Sequence, residues 1–303
     1  KARSESASHE LFDVVRGVTK TINSNTTNAE ATQADSLTAF GSDGFTLGSN
    51  GDINYNNSTY VGWNWKAGGT ASSNTDGSIT SSVSANTTSG FSVVTFTGTG
   101  SNATIGHGLG VKPDAVFFKR LDTTGGWASY HSVLGATKYM RLDTNSGEQT
   151  ASDEFQNTEP TSSVISIGTD GAVNGTSMVA YCFADVKGFS KFNSYVGNGS
   201  TDGPFIFTGF KPAFVLIKKS NASGTDWQLT DNKRDLHNVC THRLLPNDSI
   251  AEQTDSLDLD ILSNGFKIRK SSTTSNASGA TYIYLAFAEN PLVGTNNVPA
   301  TAR

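Results

Sequence analysis

The chain has 303 residues, which excludes a mini-protein, and its 22 basic and 27 acidic side chains give a net charge of −5, which argues against binding to nucleic-acid phosphates. Only 16% of the residues are charged and 31 are glycine, so the composition predicts a β-rich protein with many turns. We expect neither membrane insertion nor a signal peptide, because no stretch approaches ~20 apolar residues and residues 1–10 lack an apolar core.

The sequence repeats itself. Three runs of eight residues (YVGWNWKA, MVAYCFAD and YIYLAFAE) share their length and apolar pattern, at 60–67, 178–185 and 282–289. The large residues at their sixth position are 118 and then 104 residues apart: Trp65, Phe183 and Phe287. Glu-x-Thr triplets keep the same two spacings, beginning at Glu30, Glu148 and Glu252. Two unrelated motifs in one register predict three duplicated units.

The predicted order along the chain is repeat 1 at 1–67, a Gly/Ser/Thr/Asn-rich linker or extended β-arm at 68–89, repeat 2 at 90–185, repeat 3 at 186–289 and a C-terminal tail at 290–303. Asn-Gly at 50–51 and Asp-Gly at 170–171 predict hairpin turns. Residues 133–142 and 235–245 are compatible with short helices or with strands. The three terminal runs are apolar on both faces and should lie centrally in a sheet. We therefore predict an all-β chain of three related β-sandwich-like units.

Repeat 1 lacks the opening strand of the other two repeats. The segments 111–120 and 210–219 (VKPDAVFFKR and FKPAFVLIKK) match each other. The sequence starts at Lys1, close to the point that corresponds to Lys119 at the end of this strand. A sheet without that strand leaves backbone groups unpaired and an apolar face exposed. We therefore expect a segment upstream of Lys1 to supply it.

Five segments resemble a repeat region of marine bacteriophage structural proteins: LFDVVRG at 11–17, SDGFTL at 42–47, YVGWNWKAG at 60–68, AFAENP at 286–291 and ATAR at 300–303. The stretch 90–110 is similar to strand-and-turn segments of phage tail fibres. The family commonly carries an upstream laminin-G-like, concanavalin-type domain, and its members are mostly virion, tail-fibre or adhesin-like proteins. The resemblance implies a location in the phage particle and implies no catalytic residues.

Four aromatic or histidine residues are the candidate glycan-contact residues. Trp127 and Trp227 recur after glycine-containing loops, and Tyr130 and His131 follow the first of them. A flat aromatic face packs on the C–H surface of a sugar ring, and polar groups of a loop bind its hydroxyls. The alternative is that each tryptophan fills the core of its own repeat, and recurrence at a matching place favours that alternative.

We predict no catalytic, cofactor-binding or metal site. Cys182 and Cys240 lie in no metal-binding spacing and should be reduced. The Glu-x-Thr triplets could place carboxylates for a metal or a subunit contact, or hydrogen-bond loop backbone. Three aspartates offer oxygen ligands without the spacing of an EF-hand: Asp255, Asp258 and Asp260.

Together these features predict a non-enzymatic phage virion protein, a tail-fibre or adhesin-like appendage that contacts host-surface glycan. The alternatives are a glycan depolymerase of a phage spike and a purely architectural capsid or tail component. The predicted partners are other virion proteins and copies of the chain itself. Exposed strand edges motivate a homo-oligomer, and the resemblance to phage fibres implies a trimer.

Overall fold

The computed structural model describes residues 1–254 and 257–289. Strands hold 39% of the chain and helices 3%, so the predicted all-β class is confirmed. The predicted tail at 290–303 and Asp255 lie outside the described residues. Within the described ranges, neither helix is long and apolar enough to cross a membrane.

The first of two compact units comprises Lys1–Asp143, Gln149–Phe183 and Asn247–Ala251. Its elements are β1 (Glu10–Asp13), β2 (Gly17–Asn23), β3 (Ala31–Thr32), β4 (Leu37–Phe40), β5 (Phe45–Leu47), α1 (Gly51–Asn54), β6 (Ser72–Asn74), β7 (Ser81–Asn86), β8 (Phe91–Phe96), β9 (Ala103–Gly106), β10 (Ala115–Arg120), β11 (Ala128–His131), β12 (Lys138–Arg141), β13 (Gln149–Thr150), α2 (Ser152–Phe155), β14 (Val164–Ile167) and β15 (Met178–Phe183).

The second unit comprises Thr144–Glu148, Ala184–Pro246 and the described residues from Glu252 onward. Its strands are β16 (Ser190–Val196), β17 (Phe205–Phe207), β18 (Pro212–Lys219), β19 (Gln228–Asp231), β20 (Leu259–Leu262), β21 (Gly265–Ile268) and β22 (Thr281–Ala288). The order β16-β22-β18-β19 forms one sheet and β17-β21-β20 another. Buried side chains from one face of each sheet form a single core, so this unit is a two-layer β-sandwich.

An antiparallel sheet of eight strands dominates the first unit, in the order β13-β12-β11-β10-β15-β8-β7-β6. Three smaller sheets accompany it: β1-β2-β3, β4-β5 and β14-β9. The strands β15 and β22 each have a neighbour on both sides and are almost wholly buried, which confirms the prediction of central strands for these two runs. The Gly/Ser/Thr/Asn-rich stretch 68–89 contains β6 and β7, and β7 pairs with β8 along its whole length.

The two units share a strand order. β8-β15-β10-β11 in the first corresponds to β16-β22-β18-β19 in the second, and β9-β14 corresponds to β17-β21. The registers agree as well: Ala115 lies opposite Phe183, and Phe214 lies opposite Phe287. We keep the names repeat 1, 2 and 3 for their residue ranges, while the duplication itself stays a prediction.

Repeat 1 differs from this pattern. Its terminal run forms no strand, because the only strand-like pairing there in the described chain is an isolated bridge between Ala2 and Tyr60. The N–H of Val61 donates to the carbonyl oxygen of Lys1 at 3.1 Å. Lys1 and Ala2 thus hold the register that Lys119 and Arg120 hold against β15.

Candidate functional site

The four predicted glycan-contact residues are buried. Trp127 has no exposed surface, and Tyr130, His131 and Trp227 expose at most 3%. The Trp127 Nε1–H donates to the carbonyl oxygen of Asn23 at 2.9 Å, so both the ring and its donor are committed to the fold. None of the four offers a ring face to a ligand. Their burial favours the alternative of a core role for these residues, and the glycan-contact role stays a prediction.

Tyr130 is held by a carboxylate. Its hydroxyl donates to Glu159 at 2.6 Å, and the same carboxylate accepts from the Lys112 Nζ and from the N–H of Ala136, each at 2.6 Å. Burial first, and then the neighbouring Glu159, raise the pKa of the Tyr130 phenol. The hydroxyl therefore stays protonated and keeps donating at neutral pH.

A buried lysine recurs at the same strand position. Lys119 is the last residue but one of β10 and Lys218 the last but one of β18, and neither has exposed surface. The Lys119 Nζ donates to the carbonyl oxygens of Gly125 at 2.6 Å and Thr27 at 3.0 Å. The Lys218 Nζ donates to those of Thr225 and Asn145, the latter at 3.1 Å.

Lys1 follows the same rule, since its Nζ donates to the carbonyl oxygen of Ser249 at 3.0 Å. The three loop acceptors keep the spacings of 118 and 104 residues: Thr27, Asn145 and Ser249. Each of these carbonyl oxygens also accepts a backbone N–H, at 2.8–2.9 Å, from Gly125, Gly224 and Ala7 respectively. Every repeat thus gives one loop carbonyl to the lysine of another repeat.

Burial lowers the pKa of Lys119 and of Lys218 to about 8. Between pH 8 and the ordinary lysine range the unfolded chain binds more protons than the folded chain, so the free energy of unfolding should rise with pH there, by up to about 1.4 kcal/mol per pH unit for each lysine. Urea unfolding between pH 8 and 9.5 measures this slope. Lys119→Met should reduce the slope, and Lys187→Met, at an exposed position, should leave it unchanged. An equal slope in Lys119→Met and the parent chain would contradict the expectation.

Two of the Glu-x-Thr glutamates neutralise a buried arginine. The Arg16 guanidinium binds Asp13 at 2.5 Å and Glu30 at 3.1 Å. The second unit holds the counterpart, in which Arg234 binds Asp231 at 2.7 Å and Glu252 at 2.9 Å. Repeat 2 has His131 and Leu134 at the corresponding places. Glu30 and Glu252 therefore stabilise the fold as ion-pair partners of buried arginines. This favours a structural role over the metal and subunit-contact interpretations of these two residues.

The two remaining acidic candidates that the structure describes lie near basic side chains. Asp258 lies 3.7 Å from the Lys270 Nζ, and Asp260 lies 3.6 Å from the Arg269 Nε. The part of the chain that the structure describes contains no group of three or more His, Cys, Asp or Glu residues that could hold a metal ion.

A polar cavity of about 220 Å³ adjoins the loop 235–240 in the second unit. Asp235 on its wall is engaged: it accepts the backbone N–H groups of Thr241 and His242, both at 2.8 Å, and contacts the His242 ring at 2.5 Å. Burial raises the pKa of the Cys240 thiol to about 11, so the thiol is protonated at neutral pH and is a poor nucleophile.

Repeat 1 carries the candidate functional surface. Three of its aromatic side chains are exposed, Tyr55 by 61%, Phe45 by 44% and Phe40 by 40%. The loop under Tyr55 is well anchored, because its backbone N–H donates to the Tyr60 hydroxyl, and that hydroxyl donates to the carbonyl oxygen of Gly51. Exposed aromatic residues on a fixed backbone are typical of an interaction surface. We call this surface, formed by 37–62, the open face of repeat 1.

Comparison with known proteins gives one match. A family described as a domain of unknown function, DUF7483, matches residues 1–291. No curated protein and no solved structure matches the chain.

Proposed function

The chain belongs to the DUF7483 family, and from this premise we propose that it is a non-enzymatic structural protein of a bacteriophage particle, an appendage of the tail-fibre or adhesin type. The observation that carries the proposal is the repeated polar framework. Buried lysine, arginine and tryptophan side chains hold loops and strands together at corresponding positions, although these residue types could also have been functional groups. Such a framework is typical of a β-rich structural scaffold, and the resemblance to phage proteins favours a location in the phage particle.

Purified particles provide the test. We expect the protein to remain with infectious particles through a density gradient, to be detected by mass spectrometry, and to be labelled by antibodies on intact particles. A capsid protein of the same phage serves as the positive control, and a protein of the lysed host serves as the negative control. Absence of the chain from washed particles would refute the proposal.

A purely architectural component is the second candidate, and the burial of the predicted glycan-contact residues favours it. A glycan-binding screen with the intact chain separates this candidate from an adhesin. Saturable binding to a host glycan supports the adhesin, and an empty screen supports the architectural role. Release of reducing ends from host polysaccharide would instead support the depolymerase and would contradict a non-enzymatic function.

Self-association stays a proposal. Light scattering of the chain should give the mass of a trimer if the predicted homo-oligomer forms through surfaces of this chain alone. A monodisperse monomer at 31.9 kDa would contradict it.

A further inference from the structure

In repeat 2 a buried asparagine holds the turn between β8 and β9. The Asn174 Nδ2 donates to the carbonyl oxygens of Gly168 and Ser101, both at 2.7 Å. Its Oδ1 accepts the N–H of Thr99 at 2.8 Å. One side-chain amide thus binds two backbone positions of the turn, Thr99 and Ser101, and connects them to Gly168.

Repeat 3 contains the same arrangement between β16 and β17. The Asn276 Oδ1 accepts the N–H of Asn198 at 2.8 Å, and its Nδ2 donates to the carbonyl oxygen of Ser200 at 2.6 Å. A second Nδ2 bond reaches the carbonyl oxygen of Lys270 at 3.3 Å. Asn276 has no exposed surface.

The two turns share the sequence Gly-x-Gly-Ser, at 98–101 and 197–200. The second glycine has a positive φ in both turns, +66° at Gly100 and +70° at Gly199. The first glycine lies against backbone: a Cβ on Gly98 or Gly197 would come within 2.3 Å of a carbonyl oxygen. We call this arrangement, in which an asparagine side chain holds a Gly-x-Gly-Ser turn, a seat. The conformation of the turn requires glycine at both positions.

Asn54 is the counterpart in repeat 1. Its Nδ2 donates to the carbonyl oxygen of Gly48 at 2.7 Å, as Asn174 does to Gly168. Its N–H donates to the carbonyl oxygen of Asn50 at 2.9 Å, as that of Asn174 does to Asp170. Asn54 is exposed, and its Oδ1 has no hydrogen-bond partner among the described residues. Among the described residues, no turn occupies this seat.

The neighbouring strand is open in the same way. β5 pairs with β4 on one edge, just as β21 pairs with β20. The other edge of β21 pairs with β17, the strand that follows the Gly-x-Gly-Ser turn. In the described part of the chain, no strand pairs with that edge of β5. Phe45 on β5 is exposed beside it.

We propose that the open face of repeat 1 binds a strand–turn–strand segment from outside these 303 residues, with a Gly-x-Gly-Ser turn on Asn54 and its second strand along β5. The occupant is defined by β8–β9 and β16–β17, the two segments of this kind that already occupy equivalent seats, in which the two strands join different sheets. Main-chain pairing supplies a large part of the affinity in such strand addition, and covering Phe45 and Tyr55 adds apolar burial. The inference goes beyond the proposed virion function and does not depend on it.

A peptide with the sequence of residues 90–107 tests the proposal with the intact chain. Fluorescence anisotropy of the labelled peptide should show saturable binding with one peptide per chain. Asn54→Ala should weaken binding at least about fivefold, because two hydrogen bonds to the turn are lost. Asn56→Ala, at a nearby exposed position, should bind as the parent chain does. A peptide with alanine in place of both turn glycines should not bind.

A short isolated strand segment is at best marginally ordered in water, so a fusion provides the second measurement. Residues 90–118 placed directly before Lys1 put the turn, its two strands and the strand that follows them in register, since Lys1 takes the place of Lys119. The fusion should unfold at a temperature at least about 2 °C higher than the chain alone. The fusion with both turn glycines replaced by alanine should lose this increase.

Four outcomes overturn the proposal. One is the absence of peptide binding together with an unchanged unfolding temperature of the fusion. The second is peptide binding that Asn54→Ala leaves intact, and the third is equal binding by the peptide without turn glycines. The fourth is a peptide-free dimer that Asn54→Ala disrupts, which would assign the seat to a second copy of the chain.

Discussion

Replacing Arg234 by methionine is expected to lower the free energy of unfolding by about 3–5 kcal/mol, the cost of leaving a buried charge without its partner. The Arg234 and Asp231 side chains are 2% and 4% exposed, and their ion pair spans 2.7 Å. The guanidinium also donates to the carbonyl oxygen of Leu229 at 3.0 Å, so one substitution removes the cation that pairs with Asp231 and Glu252 as well as a strand contact. Urea unfolding followed by tryptophan fluorescence measures the loss.

Lys233→Ala is the matched control for Arg234→Met. Lys233 is adjacent in sequence and pairs with Glu289, but its side chain is 65% exposed, and exposed pairs are worth about 0–1 kcal/mol. The double variant Asp231→Asn, Arg234→Met removes both charges and should recover part of the loss. A cost for Arg234→Met no larger than that of Lys233→Ala would show that the pair does not hold the fold.

Trp127→Ala is expected to cost about 3–5 kcal/mol, because it removes a fully buried ring and leaves a cavity. It also leaves the carbonyl oxygen of Asn23 without the donor that now lies at 2.9 Å. Trp127→Phe retains most of the volume and should cost less. A glycan-contact residue behaves differently, since its removal affects ligand binding and leaves unfolding almost unchanged. Chemical denaturation of the two variants separates these roles.

The sequence predicted the fold class because strand patterns depend on local periodicity. The runs that became β15 and β22 are apolar on both faces, and the structure places both strands between two neighbours. Residues 60–67 have the same apolar pattern but form no strand. The reason is that a strand requires a partner as well as a pattern, and among the described residues the strand-like pairing of this run is limited to the Ala2–Tyr60 bridge. The helical alternative for 133–142 and 235–245 also fails, since neither segment contains a helix.

The site residues were harder to predict. Recurrence of Trp127 and Trp227 could indicate either a core or a surface role, and only their burial distinguishes the two. The lysines that hold neighbouring loops had a detectable signal, namely a cation at the end of an otherwise apolar strand in both 111–120 and 210–219.

The repeat spacing in the sequence did not indicate the three seat asparagines. They are 120 and then 102 residues apart, at Asn54, Asn174 and Asn276, and so they fall outside the register of 118 and 104 that the other motifs keep. Loops of different length before each seat shift the alignment by two residues. The shared hydrogen-bond pattern in the structure identifies them as equivalent. A side chain that hydrogen-bonds to backbone atoms tolerates changes in the surrounding sequence.

Unfolding free energies of three alanine variants at these asparagines test the central claim most directly, that repeat 1 contains the same seat as the other repeats but without a Gly-x-Gly-Ser turn bound to it. Asn174→Ala and Asn276→Ala should each cost about 2–4 kcal/mol, because several buried hydrogen bonds to a turn are lost at once. Asn54→Ala should cost about 1 kcal/mol or less, because its amide is exposed and its known side-chain bond is the one to Gly48. A cost for Asn54→Ala equal to that of Asn174→Ala would contradict the claim.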